Sequence, residues 1–268
     1  MSSENTRISC IGTGAMGGAI MRAVCRKFGG KNITVTDRNS AHGKKFAAEN
    51  GCIFAESNLE AAINADFVFL AVKPNVISAV LKEIRGRIAP ETVVISMAAG
   101  VPLEKLSTFA PDIRFIRIMP NVPAQIGQAM IALSCGSNIS EPELAEAKDI
   151  LSAAGIVEQV PETLMNCVTA VSGSAPAFVF MFIEALADAA VKCGMPRAQA
   201  YTYAAQTVKG SAQLVLESKI HPAVLKDSVC SPGGTTIDGV AALEENGFRN
   251  AVIKAVTAAC EKSAALVK

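Results

Sequence analysis

A glycine-rich run near the start of the chain restricts the fold more than any other feature. Gly12-Thr13-Gly14-Ala15-Met16-Gly17 follows a short apolar run at positions 8–11 and precedes a segment with helical spacing of apolar residues. A strand, a glycine turn and a helix in this order are typical of the first βαβ unit of a dinucleotide-binding sheet. The alternative is a flexible turn without a ligand.

Each glycine of this run has its own role in such a site. Gly12 permits the tight turn, Gly14 lets the backbone approach a pyrophosphate, and Gly17 allows close packing of the helix. Amides at the helix N-terminus, including those of Ala15 and Met16, attract the anion together with the helix dipole. We therefore predict that these five residues bind the cofactor.

The first part of the chain alternates short β-branched runs with helical stretches, from Arg7 to about Val160. This alternation predicts a doubly wound α/β domain of Rossmann type with a parallel sheet. The predicted strands are Arg7–Ile11, Ile33–Thr36, Ile53–Phe54, Phe67–Val72, Thr92–Ser96 and Phe115–Met119, with a further strand near Met130–Leu133.

Beyond about Thr163 the strand pattern gives way to alanine-rich segments that favour helix, at 178–192, 197–217 and 249–266. We predict a Rossmann domain over residues 1–161 and an all-α domain for substrate binding and oligomerisation over residues 162–268, with the boundary at Pro161. The run from Phe178 to Ile183 is apolar on more than one helix face, which one small domain cannot bury alone. Homo-oligomerisation through this half is therefore expected.

Composition excludes several classes of partner. The net charge is +1 and no block of like charges occurs, so the chain lacks the basic stripe of a nucleic-acid binder. The longest apolar stretch, Ala175–Val191, contains Glu184 and Asp188 and is shorter than the roughly 20 residues that span a bilayer, which predicts a buried helix and no membrane partner. Residues 1–5 lack the pattern of a secretory signal, so we expect a cytoplasmic protein.

The cysteines and histidines argue against a disulfide framework and a metal site. Eight cysteines are scattered without a C-x-x-C pair, most of them within apolar patterns typical of reduced core thiols. With only His42 and His221 as histidines, we expect no metal.

The segment after the second predicted strand, Thr36-Asp37-Arg38-Asn39-Ser40, contains residues that favour NADH and residues that favour NADPH. Asp37 can accept a hydrogen bond from the ribose 2′-hydroxyl of NADH, whereas Arg38 with Asn39 and Ser40 can hold the 2′-phosphate of NADPH. A guanidinium followed by small polar residues favours NADPH, and NADH is the alternative coenzyme. If no ligand binds here, Arg38 is an ordinary solvated surface arginine.

Later strands of a parallel sheet also end at the ligand edge. Leu70-Ala71-Val72-Lys73-Pro74 places Ala71, Val72, Lys73 and Pro74 near the cofactor, although Lys73 is equally typical of a helix-flanking surface lysine. Met97-Ala98-Ala99-Gly100 and Met119-Pro120-Asn121 end the next two strands, and their small residues leave room for a nicotinamide ring. We assign Ala98 and Asn121 to the cofactor site.

Two segments of the helical half have the composition of a substrate site: 171–176, Val-Ser-Gly-Ser-Ala-Pro, and 227–236, Asp-Ser-Val-Cys-Ser-Pro-Gly-Gly-Thr-Thr. Both are predicted to be helix starts with exposed amides and hydroxyls. Gly234, Thr235 and Thr236 can direct N–H groups at a carboxylate. The alternative is a pair of N-capping turns.

No histidine lies near these segments, and no lysine follows Ser174 until Lys192. Reduction of a carbonyl normally needs a positioned acid, whereas an imine can enter already protonated and needs orientation and a neutral donor. The residues therefore favour a C=N substrate.

These motifs together resemble the pyrroline-5-carboxylate reductase family over the whole chain. The most specific match runs from Leu225-Lys226-Asp227 through Ser231-Pro232-Gly233-Gly234-Thr235-Thr236 to Leu243-Glu244. Further matches are Ala71-Val72-Lys73-Pro74, Met119-Pro120-Asn121 and Val171-Ser172-Gly173-Ser174-Ala175-Pro176-Ala177.

The resemblance implies NAD(P)H-dependent reduction of 1-pyrroline-5-carboxylate to L-proline, by a Rossmann domain joined to a helical domain that dimerises and often builds a decamer. It implies that Thr236 donates a hydrogen bond to the ring nitrogen and that Ser174 lines the pocket. The substrate carboxylate is then held by Ser231 and by the loop of Gly233, Gly234 and Thr235. Asn58 resembles a family position near the adenosine.

Three other functions remain open at the level of sequence. A relative of 3-hydroxyacid dehydrogenases shares the two-domain plan, but this chain lacks the lysine that such enzymes use after their substrate-binding glycine loop. An imine reductase for other cyclic imines fits the same loop. A non-catalytic NADP(H)-binding regulator has no need for the anion loop at 231–236.

Overall fold

The computed structural model describes residues 6–266. The first five residues, on which the expectation of a missing leader rests, lie outside the described residues. The chain divides into two compact units. One contains the described residues up to Gly173 together with those from Cys260 onward, and the other is Ser174–Ala259.

An eight-stranded sheet with the order β3-β2-β1-β4-β5-β6-β7-β8 forms the centre of the first unit. Neighbouring strands are parallel except for the antiparallel pair β6 and β7. The strand order reverses at β1, which lies between β2 and β4. The strands are β1 (Ile8–Ile11), β2 (Ile33–Thr36), β3 (Ile53–Phe54), β4 (Phe67–Leu70), β5 (Val93–Ser96), β6 (Arg114–Met119), β7 (Ala129–Cys135) and β8 (Gly155–Gln159).

Seven α-helices accompany this sheet. Polar side chains begin some of them: Asn39 accepts a hydrogen bond from the amide of His42, and Ser140 with Glu143 forms a capping box. The helices are α1 (Ala15–Phe28), α2 (Ser40–Asn50), α3 (Asn58–Ala62), α4 (Ile77–Ile84), α5 (Leu103–Phe109), α6 (Glu141–Ser152) and α7 (Met165–Val168).

The core of the first unit lies on both faces of the sheet. One layer joins α1 and α6 to the sheet through residues such as Ile20 and Ile150, and the other joins α4 and α5 through Leu81 and Leu106. All four side chains are fully buried. A parallel sheet covered on both faces produces the near-continuous apolar strands seen in the sequence, so the predicted fold class is confirmed.

The outer strand β8 was not predicted, and the reason is its position. Residues of an edge strand stay partly in water, and here Ile156 is 54% exposed, so no buried apolar run marks the strand. Gly155 begins it with a φ of 155°, and a Cβ atom there would lie 2.1 Å from the carbonyl oxygen of Ala129. This close approach seats β8 on β7.

The second unit is helical. Two long helices, α8 (Ala175–Lys192) and α9 (Arg197–Ser218), pack against each other around Ala187, Ala200 and Ala204. Two shorter helices follow, α10 (Pro222–Val229), which was not predicted, and α11 (Thr235–Glu245), which begins inside the segment 227–236 that was predicted to be a helix start. The last helix, α12 (Phe248–Leu266), begins in this unit, and its residues from Cys260 belong to the first.

The prediction that Ala175–Val191 forms a buried helix is wrong for the single chain. Phe180 is 59% and Met181 68% exposed, and only Ala187 of α8 is buried. By length and composition alone the helical stretch Glu162–Lys192 could cross a membrane, which is weak evidence, and 11% of its apolar window is buried. An apolar cleft of about 520 Å³ lies within the second unit, and its walls include Phe178, Met181, Phe182, Leu186, Phe248 and Val252.

All eight cysteines are free thiols, but fewer than expected lie in a core. Cys10 and Cys25 are buried, whereas Cys167 and Cys193 are exposed. Burial raises the pKa of the Cys10 thiol, and contact with the Cys52 thiol raises that of Cys25. Thiols of the helical half lie on faces that a single chain leaves uncovered, which is why apolar surroundings in the sequence did not predict burial.

Candidate active site

The glycine loop between β1 and α1 is packed tightly onto the end of β4. Gly12 has a φ of +100°, and a Cβ atom there would lie 2.6 Å from the carbonyl oxygen of Ala71. A Cβ atom on Gly17 would lie 2.3 Å from the Gly12 carbonyl oxygen and 2.5 Å from the Cβ of Ala71. Side chains are therefore excluded at both positions.

Gly14 differs from its two neighbours because nothing lies within 4 Å of the position of a Cβ atom there. It is the N-cap of α1 and makes no side-chain capping bond. Ala15 is exposed and Met16 is half-buried. The backbone amides at the start of α1 thus face open space beside a loop that could not accommodate larger residues, which suits the approach of an anionic ligand.

Asp37 fixes this loop from the end of β2. Its Oδ2 atom accepts hydrogen bonds from the amide and the hydroxyl of Thr13, each at 2.8 Å, and its Oδ1 atom accepts one from the amide of Asn39 at 2.9 Å. Burial by itself would raise the pKa of Asp37, but these hydrogen bonds and nearby His42 hold that pKa below its usual value. The carboxylate is thus charged and engaged with the protein itself.

Arg38 is exposed and lines a cleft of about 500 Å³ at the carboxyl end of β1 and β2. Ser40 and Asn58 line it as well, and the Nδ2 atom of Asn58 donates to Glu83 Oε2 at 2.6 Å. The Asn39 side-chain oxygen is used to cap α2, so that oxygen is not available to a ligand. The structure thus brings Gly12, Arg38, Asn58 and Val72 to one cleft.

The other predicted cofactor residues lie at later strand ends. Lys73 is exposed beside a short 3₁₀ helix, Pro74–Val76, and is absent from the lining of the cleft. Ala98 is 2% exposed after β5. Asn121, 8% exposed, accepts a hydrogen bond from the Met130 amide at 3.0 Å and donates one to the Ser172 carbonyl oxygen at 3.1 Å.

Two polar groups of this unit escaped sequence reasoning. Thr13 was given no role within the glycine run, yet its amide and its hydroxyl both donate hydrogen bonds to the Asp37 carboxylate. Arg117 of β6 is buried and forms an ion pair with Glu162. A charged residue inside the apolar run from Phe115 to Met119 indicates in the sequence that a buried charge needs a partner. The partner itself lies 45 positions away, and no sequence pattern identifies it.

The first segment assigned to the substrate is not a helix start, contrary to expectation. Residues Thr169–Ser174 form a π-helical turn between α7 and α8. The hydroxyl of Ser172 donates to the Val168 carbonyl oxygen at 2.9 Å, inside the helical segment. Ser174 ends the turn and is half-buried. Turns of the π type occur frequently at functional sites.

The second segment is a loop of residues 230–234 followed by α11, while Asp227 and Ser228 belong to the end of α10. Gly233 has a φ of +67°, and a Cβ atom on Gly234 would lie 2.3 Å from Ser231 Oγ. The Gly234 amide donates to the Ser231 carbonyl oxygen at 3.1 Å. Ser231 and Thr235 are exposed, Thr236 is half-buried, and no side chain caps α11. The Gly234 amide is thus used within the turn, contrary to its assignment to the substrate, whereas no hydrogen bond within the described residues engages the hydroxyls of Ser231, Thr235 and Thr236. These hydroxyls and the first amides of α11 suit a carboxylate.

Two family models match the chain. Residues 162–266 match pyrroline-5-carboxylate reductase dimerisation, and residues 7–100 match the NADP oxidoreductase, coenzyme F420-dependent family.

Whole-chain comparisons agree with the first of these families. The pyrroline-5-carboxylate reductase of Escherichia coli (strain K12) is 49% identical over 215 residues, 80% of each chain. That of Methanosarcina acetivorans is 42% identical over 268 residues, 99% of each chain. The crystal structure of the Plasmodium falciparum pyrroline carboxylate reductase with NADP bound has a TM-score of 0.88 at 32% identity and covers 99% of each chain.

Proposed function

This chain belongs to the pyrroline-5-carboxylate reductase family, and on that premise we propose how its residues divide the work of the reaction. The reaction is the NAD(P)H-dependent reduction of 1-pyrroline-5-carboxylate to L-proline, the last step of proline biosynthesis. Near full-length identity of 42% to a reductase of this name is the observation that carries the assignment.

The cofactor is NADPH, as in the relative solved with NADP, and NADH is the second candidate. When bound, it supplies the hydride that reduces the C=N bond. We assign the pyrophosphate to the turn of Gly12, Gly14 and Gly17 and to the amides of Ala15 and Met16. The open space at Gly14, beside two positions where any side chain would clash, supports this fit.

Arg38 with Asn39 and Ser40 holds the 2′-phosphate in this proposal. Its support is the exposed guanidinium of Arg38 in the cleft beside Ser40, while the carboxylate of Asp37 already accepts hydrogen bonds from Thr13 and Asn39. Asn58 lines the same cleft and contacts the adenosine. The strand ends at Ala71, Val72, Lys73, Pro74, Ala98 and Asn121 complete the cofactor site.

The loop before α11 binds the substrate. Ser231 and the amide of Thr235 hold the carboxylate. The Gly234 amide instead closes the turn onto the Ser231 carbonyl oxygen, and the tight turn at Gly233 with the close approach of Ser231 Oγ to Gly234 keeps these donors in place. Thr236 donates a hydrogen bond to the ring nitrogen, and Ser174 lines the pocket. Since the imine enters protonated, orientation contributes most of the rate acceleration.

Chain organisation and location complete the proposal. The chain assembles with copies of itself, and we propose a dimer that builds a decamer in the cytoplasm, without a nucleic-acid or membrane partner. The dimerisation match and the exposed apolar faces of α8 and α12 support assembly through the second half. We place the functional boundary at Pro161, so that residues 162–268 carry substrate binding and oligomerisation.

The first experiment follows absorbance at 340 nm after addition of 1-pyrroline-5-carboxylate to enzyme with NADPH and, separately, with NADH. We expect rapid oxidation of NADPH and slower oxidation of NADH. Cofactor binding without oxidation would reject this substrate, and a panel of other cyclic imines and 3-hydroxy acids would then identify the correct one.

A further inference from the structure

Arg117 is the only charged residue among those buried in the described part of the chain, with 3% of its surface exposed. It lies on β6, two positions before Met119, at the carboxyl half of the strand. A guanidinium removed from water in this way requires a partner, because an unpaired buried charge is strongly unfavourable. Its partner therefore has a defined place in the structure.

That partner is Glu162, and one of its oxygens joins three separate segments. Its Oε1 atom accepts a hydrogen bond from Arg117 Nη1 at 2.6 Å and another from the amide of Leu103 at 3.1 Å. Arg117 belongs to β6, Leu103 begins α5 beyond the end of β5, and Glu162 begins the helical stretch that leads to the π-helical turn. The carboxyl half of β6, the start of α5 and the start of the helical stretch are thus held at one atom.

A second tether holds the other end of the same helical segment. Asn121 follows β6 and donates to the carbonyl oxygen of Ser172 within the π-helical turn, while its own oxygen accepts from the Met130 amide. Met119 Sδ also lies 4.0 Å from the position of a Cβ atom on Gly173. The segment from Glu162 to Gly173 is therefore fixed at both ends on the edge of the sheet where the proposed nicotinamide site lies.

The other ion-paired arginine of β6 provides a comparison. Arg114, at the opposite end of the strand, binds both oxygens of Glu143, at 2.6 Å and 3.1 Å. Glu162 instead shares one oxygen between Arg117 and a backbone amide, and its buried Oε2 has no hydrogen-bond partner among the described residues. Arg114 also donates to the carbonyl oxygens of Asn138 and Glu91, so both pairs join several segments, but only the pair of Arg117 and Glu162 includes the helical stretch that leads to the π-helical turn.

We propose that Glu162 is a positioning residue for hydride transfer, acting with Arg117 to set the π-helical turn against the carboxyl half of β6 and the start of α5. This rests on the proposed function, because it concerns the distance between the reduced coenzyme and the imine. A displacement of about 1 Å at a reacting centre can cost about a hundredfold in rate.

The test compares the wild-type enzyme with Glu162→Gln, using Glu143→Gln as the matched control on the same strand. Each variant neutralises one glutamate that pairs with an arginine of β6. For each, we would measure the midpoint of thermal unfolding, kcat, both KM values and the isotope effect with NADPH deuterated at the transferred C4 position. Assays are run well below the unfolding midpoints.

Glu162→Gln is expected to lower kcat about 10- to 100-fold, to change KM for NADPH less than about threefold, and to raise the isotope effect. Glu143→Gln is expected to lower the unfolding midpoint while keeping kcat and the isotope effect of the wild type. A Glu162→Gln enzyme whose kcat and isotope effect equal those of Glu143→Gln would overturn the positioning role.

Two further results keep the test decisive. If Glu162→Gln does not fold, Glu162→Asp keeps the charge but shortens the reach by one methylene group, and the same expectations and the same contradiction apply to it. A wild-type enzyme that fails to oxidise NADPH with the imine would overturn the proposed function and this inference together, whereas normal wild-type kinetics with an unaffected variant overturns only the inference.

Discussion

The two compact units differ in what stabilises them. In the first, strands and helices bury large side chains such as Phe69, Leu81 and Ile95 completely. In the second, the buried cluster consists of Ala187, Ala200 and Ala204, while many large apolar residues stay exposed. The first unit therefore folds around its own core, whereas the second leaves its apolar surface for another copy of the chain to cover.

The strongest test of this difference between the units is a charged substitution on the exposed face of α8. Met181 is 68% exposed in the single chain, so Met181→Glu would be harmless if that face stayed in water. We expect it to abolish assembly, because a covered face would then bury an unpaired carboxylate. Light scattering over a range of concentrations measures the change, with Ile156→Glu, at a residue 54% exposed in the first unit, as control. A wild-type monomer would reject the comparison itself.

A substitution in the core of the first unit gives the next largest effect. Leu81→Ala removes a fully buried side chain between α4 and the sheet and should lower the free energy of unfolding by about 2 to 5 kcal/mol. Because the core is internal to one chain, the loss should be the same at low and high protein concentration. Urea unfolding at two concentrations tests this, and a loss that grows on dilution would contradict it.

In the second unit, we expect a substitution of Thr236 to lower the rate of reduction rather than the stability of the fold. Thr236→Ala should lower kcat/KM about tenfold or more, a loss of roughly 1 to 3 kcal/mol for one buried donor to the ring nitrogen. Steady-state kinetics measure this. Thr202→Ala is the control, because the Thr202 hydroxyl donates to the Ala198 carbonyl oxygen of its own helix. Equal kinetics for the two variants would remove the role of Thr236.

The stability of the first unit at acid pH depends on the carboxylate of Glu143, which is paired with Arg114. Hydrogen bonds and charge from Arg114, together with Ser140, lower the pKa of Glu143 to about 2 despite the opposing effect of burial. Since the folded pKa is below the unfolded one, the stabilisation is complete above about pH 4.5 and is lost as the pH falls toward 2. We expect Glu143→Gln to flatten this part of the stability profile by on the order of 1 to 2 kcal/mol. An unchanged acid limb would contradict this.

The smallest expected effect concerns coenzyme choice in the first unit. Arg38→Ala should raise KM for NADPH about tenfold and leave KM for NADH nearly unchanged, because only NADPH carries the 2′-phosphate. The control is Lys45→Ala, at an exposed lysine of α2 that pairs with Glu49. Equal effects on both coenzymes would make Arg38 an ordinary surface residue.

Predictability from sequence also differs between the units. Strands β1, β2 and β4 to β7 were found because each carries a buried apolar run, whereas β3 is a short edge strand with Ile53 exposed. The long helices were found because alanine and leucine favour helix throughout. The edge strand β8 and the short helix α10 were not predicted, because they lack such runs. The glycine turn could be predicted because each of its glycines is required by the local backbone between β1 and α1. The pairing of Arg117 with Glu162 could not, because it depends on contacts that only the folded chain creates.

The return of α12 to the first unit has a consequence for synthesis on the ribosome. Ser263 Oγ donates to Asn166 Oδ1 at 2.9 Å, and the backbone and Cβ of Leu266 lie beside Gly100, so the final described turns contribute to the unit that starts near the beginning of the chain. The first unit therefore cannot complete its folding when Gly173 leaves the ribosome. It stays open while all of Ser174–Ala259 is translated, and its completion therefore coincides with the availability of the surface through which two chains meet.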